Sequence, residues 1–210
     1  MTNLASNLVT IAQAHPDKVA IKLDDAELTW SQLHGLAAKA AGAMRAAGLE
    51  PGDRVSLILP NVPAFPVLFY GALLAGGTVV PMNPLLKAQE IEYFYTDSGA
   101  KFSFVWGDFA AEATAGAEGT DTTVIVSGPV GPSDEDLPAG EPIATPVERD
   151  AEDTAVILYT SGTTGRPKGA ELTHKNLDLN AQRSAEDIIG IQPDDVIMGC
   201  LPLFHVFGLT

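Results

Sequence analysis

The chain of 210 residues carries a formal net charge of −15, and 46% of its residues are hydrophobic. It is long enough to bury a core, and its acidity excludes a protein that binds nucleic acid through phosphate contacts. The single cysteine, Cys200, excludes an internal disulfide and fits the reducing cytoplasm. We expect Cys200 to be a small buried hydrophobe in a strand-like run rather than a nucleophile, since no neighbour in sequence would lower its thiol pKa.

The first fifty residues predict two helices. Three apolar side chains share one face of an amphipathic first helix: Leu4, Leu8 and Ile11. No basic region of a signal peptide accompanies this helix. Thr29 and Gln32 have the spacing of a capping box, which predicts a second helix from Trp30, and Gly48 is placed to end it.

Residues 55–86 contain no charged side chain, which raises the alternative of a membrane span. Prolines and glycines interrupt the stretch, among them Pro63, Pro66, Gly76, Gly77, Pro81 and Pro84. Since such residues are poorly suited to the interior of one long helix, we expect a strand, a helix and a second strand, and no transmembrane helix.

Short apolar runs alternate with helical patterns up to residue 126. The predicted strands are residues 55–59, 79–82, 102–106 and 123–126, and one predicted helix surrounds residues 90–97. Strands that alternate with helices favour an α/β fold. We expect a layered, mostly parallel sheet with helices on both faces and chemistry at the strand ends.

Acidic residues concentrate at 108–153, where twelve Asp or Glu side chains accompany Arg149 as the single base. Within this stretch, residues 127–150 hold five prolines and three glycines. We interpret them as a solvated surface excursion rather than as a functional acidic patch. The predicted boundary lies here, with a first subdomain at 1–150 and the start of a second at 151–210.

Residues 159–169, with the sequence YTSGTTGRPKG, carry the strongest functional signal. Small side chains let backbone N–H groups approach phosphate oxygens, and Lys168 supplies a compact positive charge in a locally basic stretch. The flanking residues 155–160 and 170–173 predict strands, so we expect a hairpin loop that binds a polyphosphate. We also expect this loop to be mobile without nucleotide, because it offers few apolar contacts.

A Walker A loop is the obvious alternative for a glycine-rich loop with a lysine. It requires Gly-x-x-x-x-Gly-Lys followed by Ser or Thr at the start of a helix. Lys168 instead lies between Pro167 and Gly169, and predicted strands flank the loop. The pattern excludes a P-loop NTPase and leaves a surface turn without function as the other interpretation.

The loop resembles the signature of the adenylate-forming (AMP-binding) superfamily, which includes acyl-CoA synthetases, peptide-synthetase adenylation domains and luciferases. Further segments follow in the order that the family keeps, over nearly the whole chain: residues 28–33, 48–55, 57–61, 75–84 and 201–208. The chain resembles the N-terminal part of a fatty acyl-CoA synthetase, that is, of a long-chain-fatty-acid–CoA ligase.

This resemblance implies an ATP-dependent carboxylate-activating ligase, an acid–thiol ligase in the full-length protein. Such enzymes use ATP and Mg²⁺ to form an acyl-adenylate, and pass the acyl group to coenzyme A. By resemblance, Lys168 is catalytic, Thr160 also meets the Mg²⁺ ion, and His205 lies beside the substrate carboxylate. The nucleotide-binding residues implied in this way are Thr160, Ser161, Gly162, Thr163, Thr164, Gly165, Lys168 and Val206.

Several of these side chains have a structural alternative. Lys168 could be an ordinary exposed loop lysine, and His205 a core histidine satisfied by hydrogen bonds within its apolar run. For His174, a ligand role and a place in the first turn of a helix capped by Thr173 stay open. Arg166 occupies a position that the family leaves variable, and we assign it no role beyond local charge.

The resemblance also implies that the family's acidic Mg²⁺ ligand, ribose-binding Asp and C-terminal domain lie outside these residues. We therefore expect a fragment that is inactive alone and that self-associates, for example as a homodimer, through uncovered apolar surface. The expected substrate is a fatty acid. An aryl- or malonyl-CoA ligase and a peptide-synthetase adenylation domain are the enzyme alternatives, and a non-catalytic nucleotide-binding or interaction fragment is the alternative of another class.

Overall fold

The computed structural model describes residues 3–133, 135–160, 166–192 and 194–209. Its strands are β1 Val19–Leu23, β2 Ala26–Thr29, β3 Arg54–Ile58, β4 Thr78–Pro81, β5 Ala100–Trp106, β6 Thr123–Ser127, β7 Thr154–Thr160 and β8 Lys168–Thr173. Its α-helices are α1 Ser6–Ala14, α2 Trp30–Ala46, α3 Ala64–Leu74, α4 Ala88–Ser98, α5 Ala110–Ala117, α6 His174–Arg183 and α7 Val206–Leu209. A 3-10 turn, Gly107–Phe109, precedes α5, and a π-helical turn, Ser184–Ile189, follows α6.

A six-stranded sheet in the order β6-β5-β3-β4-β7-β8 forms the centre of the molecule. Neighbouring strands are parallel except for the antiparallel pair β7–β8, and β1 and β2 form a separate antiparallel pair. The mostly parallel α/β architecture predicted from the sequence is confirmed. Strands from both sides of residue 150 belong to the same sheet, and the division into subdomains at that point stays a prediction.

Helices cover both faces of the sheet because side chains along each strand alternate between them. From β3, Val55 and Leu57 pack into the larger core with α2 and α3. Ile58 points the other way, into a smaller core beneath α4 and α5. Burial on both faces explains why the sequences of these central strands are continuous apolar runs and do not alternate between apolar and polar residues.

The charge-free stretch 55–86 contains β3, α3 and β4, as the sequence predicted. Helix α3, the longest element within it, is almost entirely buried between the sheet and α2. Within the described ranges, every helix is too short or too polar to span a membrane.

The predicted capping box at the start of α2 is confirmed. Gln32 N–H donates to Thr29 Oγ1 at 3.3 Å, and Thr29 N–H donates to Gln32 Oε1 at 2.8 Å. Gly48 lies just beyond the helix with φ of +95°, a left-handed conformation that costs glycine little.

Most described residues of the stretch 127–150 are exposed, as expected of a surface excursion, and beyond Ser127, which ends β6, they form no helix or extended strand. The segment is nevertheless attached to α2 and α3. Ile143 N–H donates to the Ala38 carbonyl of α2 at 2.9 Å, and Val147 N–H donates to the Leu74 carbonyl of α3 at 2.9 Å. A Cβ at Gly140 would overlap the backbone of Gly42, so glycine is required where the segment crosses α2. The acidic composition concealed this packing, which is made largely by backbone atoms that any residue type can supply.

The prediction for Cys200 is wrong in both respects. Cys200 is exposed and lies in a segment without strand structure. Three apolar neighbours that suggested a strand are exposed as well: Val196, Ile197 and Met198. An apolar run becomes a strand only beside a pairing partner, and the described part of the chain places none next to it.

Buried polar side chains join α4 to the sheet. Tyr95 OH donates to Ser103 Oγ on β5 at 2.7 Å, and Ser56 Oγ on β3 lies 2.7 Å from the same oxygen. Burial raises the pKa of Tyr95 to about 12, so its hydroxyl stays protonated and available as a donor.

We expect Tyr95→Phe to lower the free energy of unfolding by about 1–2 kcal/mol, because Ser103 loses a buried partner while the ring is kept. Urea unfolding of the variant and the parent protein measures the difference. Tyr93→Phe, a half-buried residue of the same helix, is the matched control, with an expected change below about 1 kcal/mol. Equal losses in the two variants would contradict the role given to the buried network.

Candidate active site

The carboxyl ends of the parallel strands lie along one edge of the sheet, where α/β proteins commonly place their ligand sites. Thr160 is the last residue of β7. Asn61 follows β3 by three residues on the same edge. The sheet therefore brings the hairpin at residue 160 and the loop after β3 to one side of the molecule.

Thr160 and Lys168 face each other across the end of the β7–β8 hairpin. They form the last pair of an antiparallel ladder that begins at Thr154 and Thr173. Both side chains are exposed. The predicted hairpin is confirmed. The exposure of Lys168 fits the ligand-binding interpretation as well as the interpretation of Lys168 as an ordinary loop lysine.

Residues 161–165 of the turn between these two residues lie outside the described part of the chain. Five predicted nucleotide-binding residues belong to it: Ser161, Gly162, Thr163, Thr164 and Gly165. Their roles, and the predicted mobility of the loop, stay predictions.

Packing at the stem explains one glycine of the motif. Gly169 pairs with Tyr159, and a Cβ at Gly169 would lie 2.9 Å from Ile157 Cγ2 and 3.5 Å from the Tyr159 ring. A larger residue would therefore require Ile157 or the β8 backbone to shift, whereas the Tyr159 ring would be at an ordinary contact distance.

Helix α4 contacts both ends of the hairpin turn. Tyr93 OH donates to the Pro167 carbonyl at 2.9 Å, and Tyr159 OH donates to Asp97 Oδ2 at 2.7 Å. The Tyr159 ring stacks on Phe94 with 4.2 Å between centroids. Burial, followed by the hydrogen bond to Asp97 and its charge, raises the pKa of Tyr159, so the hydroxyl is a donor at neutral pH.

Sequence reasoning missed these contacts. Tyr93 and Pro167 are 74 positions apart, and no local pattern in the chain pairs them. An aromatic residue beside Thr160 at the start of the loop was the one visible signal, and by itself it indicated only a strand.

His205 and Val206 lie at the start of α7, and both are exposed. The His205 ring stacks on Phe207 with 5.9 Å between centroids, and its Nδ1 accepts a hydrogen bond from Phe207 N–H at 3.4 Å. The alternative of a core histidine is wrong, since the His205 side chain is exposed.

Asn61 holds the segment that leads to His205. Its Nδ2 donates to the carbonyls of Gly199 and Leu201 at 3.0 and 2.7 Å, and its Oδ1 accepts from Leu203 N–H at 2.9 Å. A single amide thus satisfies three backbone groups of an otherwise irregular segment. This arrangement fixes the segment against the same sheet edge that carries the β7–β8 hairpin.

His174 has a structural role. It opens α6 behind the N-cap Thr173, is 1% exposed, and accepts the Leu4 N–H at Nδ1 over 3.1 Å. Burial, and secondarily the charge of Arg149, lowers the pKa of His174 to about 4, although Asp153 opposes the shift. The imidazole is therefore neutral at physiological pH and joins the N-terminal segment to α6.

The model for the family described as AMP-binding enzyme matches residues 8–210. The chain belongs to the AMP-binding enzyme family. Its fold and its glycine-rich hairpin agree with the resemblance drawn from the sequence.

Individual members of the family resemble this chain in both sequence and structure. The long-chain-fatty-acid–CoA ligase FadD13 of Mycobacterium tuberculosis is 36% identical over 192 residues, which make up 89% of this chain and 37% of that protein. A benzoate CoA ligase from Burkholderia xenovorans LB400 superimposes with a TM-score of 0.90 at 32% identity, over 100% of this chain and 42% of that one.

ATP-bound MatB from Rhodopseudomonas palustris superimposes with a TM-score of 0.82 at 33% identity, over 99% of this chain and 42% of that chain. The chain thus spans about two fifths of the length of the relatives that it matches.

The low pKa of His174 predicts a loss of stability in mild acid. Between the ordinary value of 6.5 and the folded value of about 4, the unfolded chain binds a proton that the folded chain rejects. Stability should therefore fall as the pH drops through this window, by roughly 3 kcal/mol in total from this residue.

Urea unfolding between pH 4 and pH 7.5 tests this prediction. We expect His174→Gln, which keeps an acceptor but cannot titrate there, to show a weaker pH dependence than the parent protein. His15→Gln, a change at an exposed histidine, should follow the parent curve. Parallel curves for the parent and His174→Gln would refute the assignment.

Proposed function

We propose that the chain is the N-terminal part of an ATP-dependent acid–thiol ligase, an acyl-CoA synthetase. A carboxylate oxygen attacks the α-phosphorus of ATP, the bond to the bridging oxygen breaks, and pyrophosphate leaves. The thiol of coenzyme A then displaces AMP from the acyl-adenylate. The observation that carries this proposal is the exposed pair Thr160 and Lys168 at the sheet edge, in a chain of the AMP-binding enzyme family.

Charge stabilisation is the main task of such a site, because negative charge develops on the departing pyrophosphate. Lys168 is the residue assigned to that charge, with the Thr160 hydroxyl as a second donor. The hydroxyls and backbone N–H groups of Ser161, Gly162, Thr163, Thr164 and Gly165 are proposed to complete the phosphate contacts. The ATP-bound structure of MatB, a relative of matching fold, supports ATP as the nucleotide.

The residues present fit part of a Mg²⁺ site. Thr160 offers a hard oxygen ligand, and Mg²⁺ commonly completes its coordination with waters and substrate phosphates. In the described ranges, no group of three or more His, Cys, Asp or Glu side chains is arranged to hold a metal ion. Bound there, Mg²⁺ would neutralise phosphate charge, while Thr160 would orient it from the end of β7.

The substrate proposed is a fatty acid, contacted by His205, with Val206 on the nucleotide side. The segment 202–208 carries this choice, since it resembles that of fatty acyl-CoA synthetases, and FadD13 is named for a long-chain fatty acid. An aryl carboxylate is the second candidate, because the benzoate CoA ligase matches the whole chain in structure. A malonyl-CoA ligase and a peptide-synthetase adenylation domain are further alternatives.

We place the enzyme in the cytoplasm and propose a homodimer as its assembly. The large apolar side chains exposed between residues 188 and 207, among them Val196, Met198 and Phe207, support an additional contact surface.

The full-length protein tests the proposed reaction directly. Pyrophosphate release is followed with ATP, Mg²⁺ and one carboxylate at a time: a long-chain fatty acid, benzoate, ferulate or malonate. Carboxylate-dependent release, followed by CoA-dependent loss of the adenylate, supports the ligase. Nucleotide binding without release from any of them would favour a non-catalytic nucleotide-binding protein instead.

We expect Lys168→Ala to lower kcat/KM for ATP by about 100-fold, the scale of a single electrostatic donor in a transition state. Lys175→Ala removes a positive charge from an exposed residue just beyond the β7–β8 hairpin and is the control, with an expected loss below about fivefold. Equal kcat/KM values for Lys168→Ala and the parent enzyme would show that Lys168 is an ordinary surface lysine without a catalytic role.

His205→Ala should raise the KM for the carboxylate by about three- to tenfold while leaving the melting temperature unchanged, because the side chain is exposed. His15→Ala, at an exposed histidine on a different segment, serves as the control. A lower melting temperature with normal kinetics would contradict a place at the substrate.

A further inference from the structure

We infer that Tyr93 and Asp97 of α4, together with Tyr159, are positioning residues for the nucleotide phosphates. They hold the two ends of the β7–β8 turn and so fix Thr160 and Lys168 in place. This inference rests on the proposed function, since it assigns the two ends to phosphate binding. We call the three residues the α4 clamp.

The clamp makes a hydrogen bond at each end of the turn, and the Arg166 guanidinium also lies 5.8 Å from the Tyr93 ring centroid. Tyr93 OH bonds the carbonyl of Pro167, the residue directly before Lys168. On the other side, Tyr159 directly precedes Thr160 and donates to Asp97. Tyr93 and Asp97 are four positions apart on one helix, which places both side chains on the same face.

The clamp is anchored in the core rather than in a mobile surface. Phe94, which stacks on Tyr159 at an interplanar angle of 17°, is 6% exposed. It belongs to the smaller core, with Ile91 and Val80. Movement of the hairpin end away from α4 would therefore break a ring stack and expose apolar surface.

Strand pairing alone would not fix this end of the hairpin. β8 is the outermost strand of the sheet and pairs only with β7 among the described strands. Near its tip, the hairpin is therefore tied to the sheet on one side only, and α4 supplies a second attachment. Groups that stabilise a transition state must be held near their working positions before the substrate arrives, which is what a second attachment provides.

Tyr95 provides the contrast within α4. Its hydroxyl is buried and bonds Ser103, away from the hairpin, so its role is stability. Tyr93 is half-buried, and its hydroxyl bonds the backbone of the turn. Removing one hydroxyl from either residue is the same chemical change on the same helix, with different expected consequences.

The kinetic test compares Tyr93→Phe, Tyr159→Phe and Tyr95→Phe in the full-length enzyme. We expect each of the first two to lower kcat/KM for ATP by about fivefold, the scale of one net hydrogen bond, with the KM for the carboxylate unchanged. Tyr95→Phe should lower the melting temperature and leave kcat/KM of the folded enzyme at the parent value. Parent kinetics in both Tyr93→Phe and Tyr159→Phe would overturn the inference.

Hydrogen–deuterium exchange gives a readout that needs no turnover. Peptides that contain Thr160 or Lys168 should exchange faster in Tyr93→Phe than in the parent protein, and at the parent rate in Tyr95→Phe. If the parent protein releases no pyrophosphate with any carboxylate, the proposed function fails, and exchange alone decides whether α4 holds the hairpin. Parent exchange rates in Tyr93→Phe would overturn the clamp itself.

Discussion

Strand β7 joins the rest of the sheet through β4, and the position of the candidate site depends on that attachment. Val79 pairs with Val156 in parallel register, and both side chains are fully buried. Beside this pair, the Thr78 hydroxyl donates to the Thr154 carbonyl at 2.8 Å. Because Thr78 is itself buried, loss of this bond would leave a polar group without water or partner. The base of the hairpin is thus buried in the sheet, whereas its tip is exposed and presents polar side chains to the solvent.

The two candidate histidines differ in burial in the same way as the base and the tip of the hairpin. His174, near the base, is buried and neutral, and it accepts a backbone N–H from the N-terminal segment. Asn3 continues this attachment by donating to the carbonyls of Leu73 and Val147. His205 is exposed at the sheet edge. A side chain in the first environment contributes to packing, whereas one in the second is accessible to a ligand.

The sequence predicted those features whose causes are local. The capping box at Thr29, the left-handed Gly48 and the buried strands follow from neighbours within a few positions, and all three are observed. Whether the segment around Cys200 forms a buried strand depends instead on a pairing strand beside it, and no local pattern shows whether such a strand is present. At the site, the hairpin could be predicted because it joins neighbouring segments, but β8 begins two residues earlier than predicted, so the pairing of Thr160 with Lys168 is visible only in the structure.

Contacts between distant segments could not be predicted in this way. Asn61 reaches carbonyls about 140 positions away, and Tyr93 reaches Pro167 across 74 positions. Such pairs depend on how helices and loops pack against the sheet in the folded protein. The packing of residues 127–150 over α2 was hidden for a related reason. The segment bonds to its neighbours, including the His34 ring of α2, through its own backbone N–H and carbonyl groups, which leave no trace in composition.

A phosphate site on a hairpin differs physically from one at the start of a helix. In a P-loop, the helix N-terminus supplies aligned N–H groups and a partial positive charge that are rigid by construction of the helix. The antiparallel strands β7 and β8 supply no comparable dipole. Positive charge must then come from a flexible side chain such as Lys168. Its ammonium group would spend less time near the phosphate if the backbone beneath the side chain also moved. A hairpin that binds phosphate therefore needs an external support more than a helix does, and the aromatic and hydroxyl contacts with α4 are placed where that need is greatest.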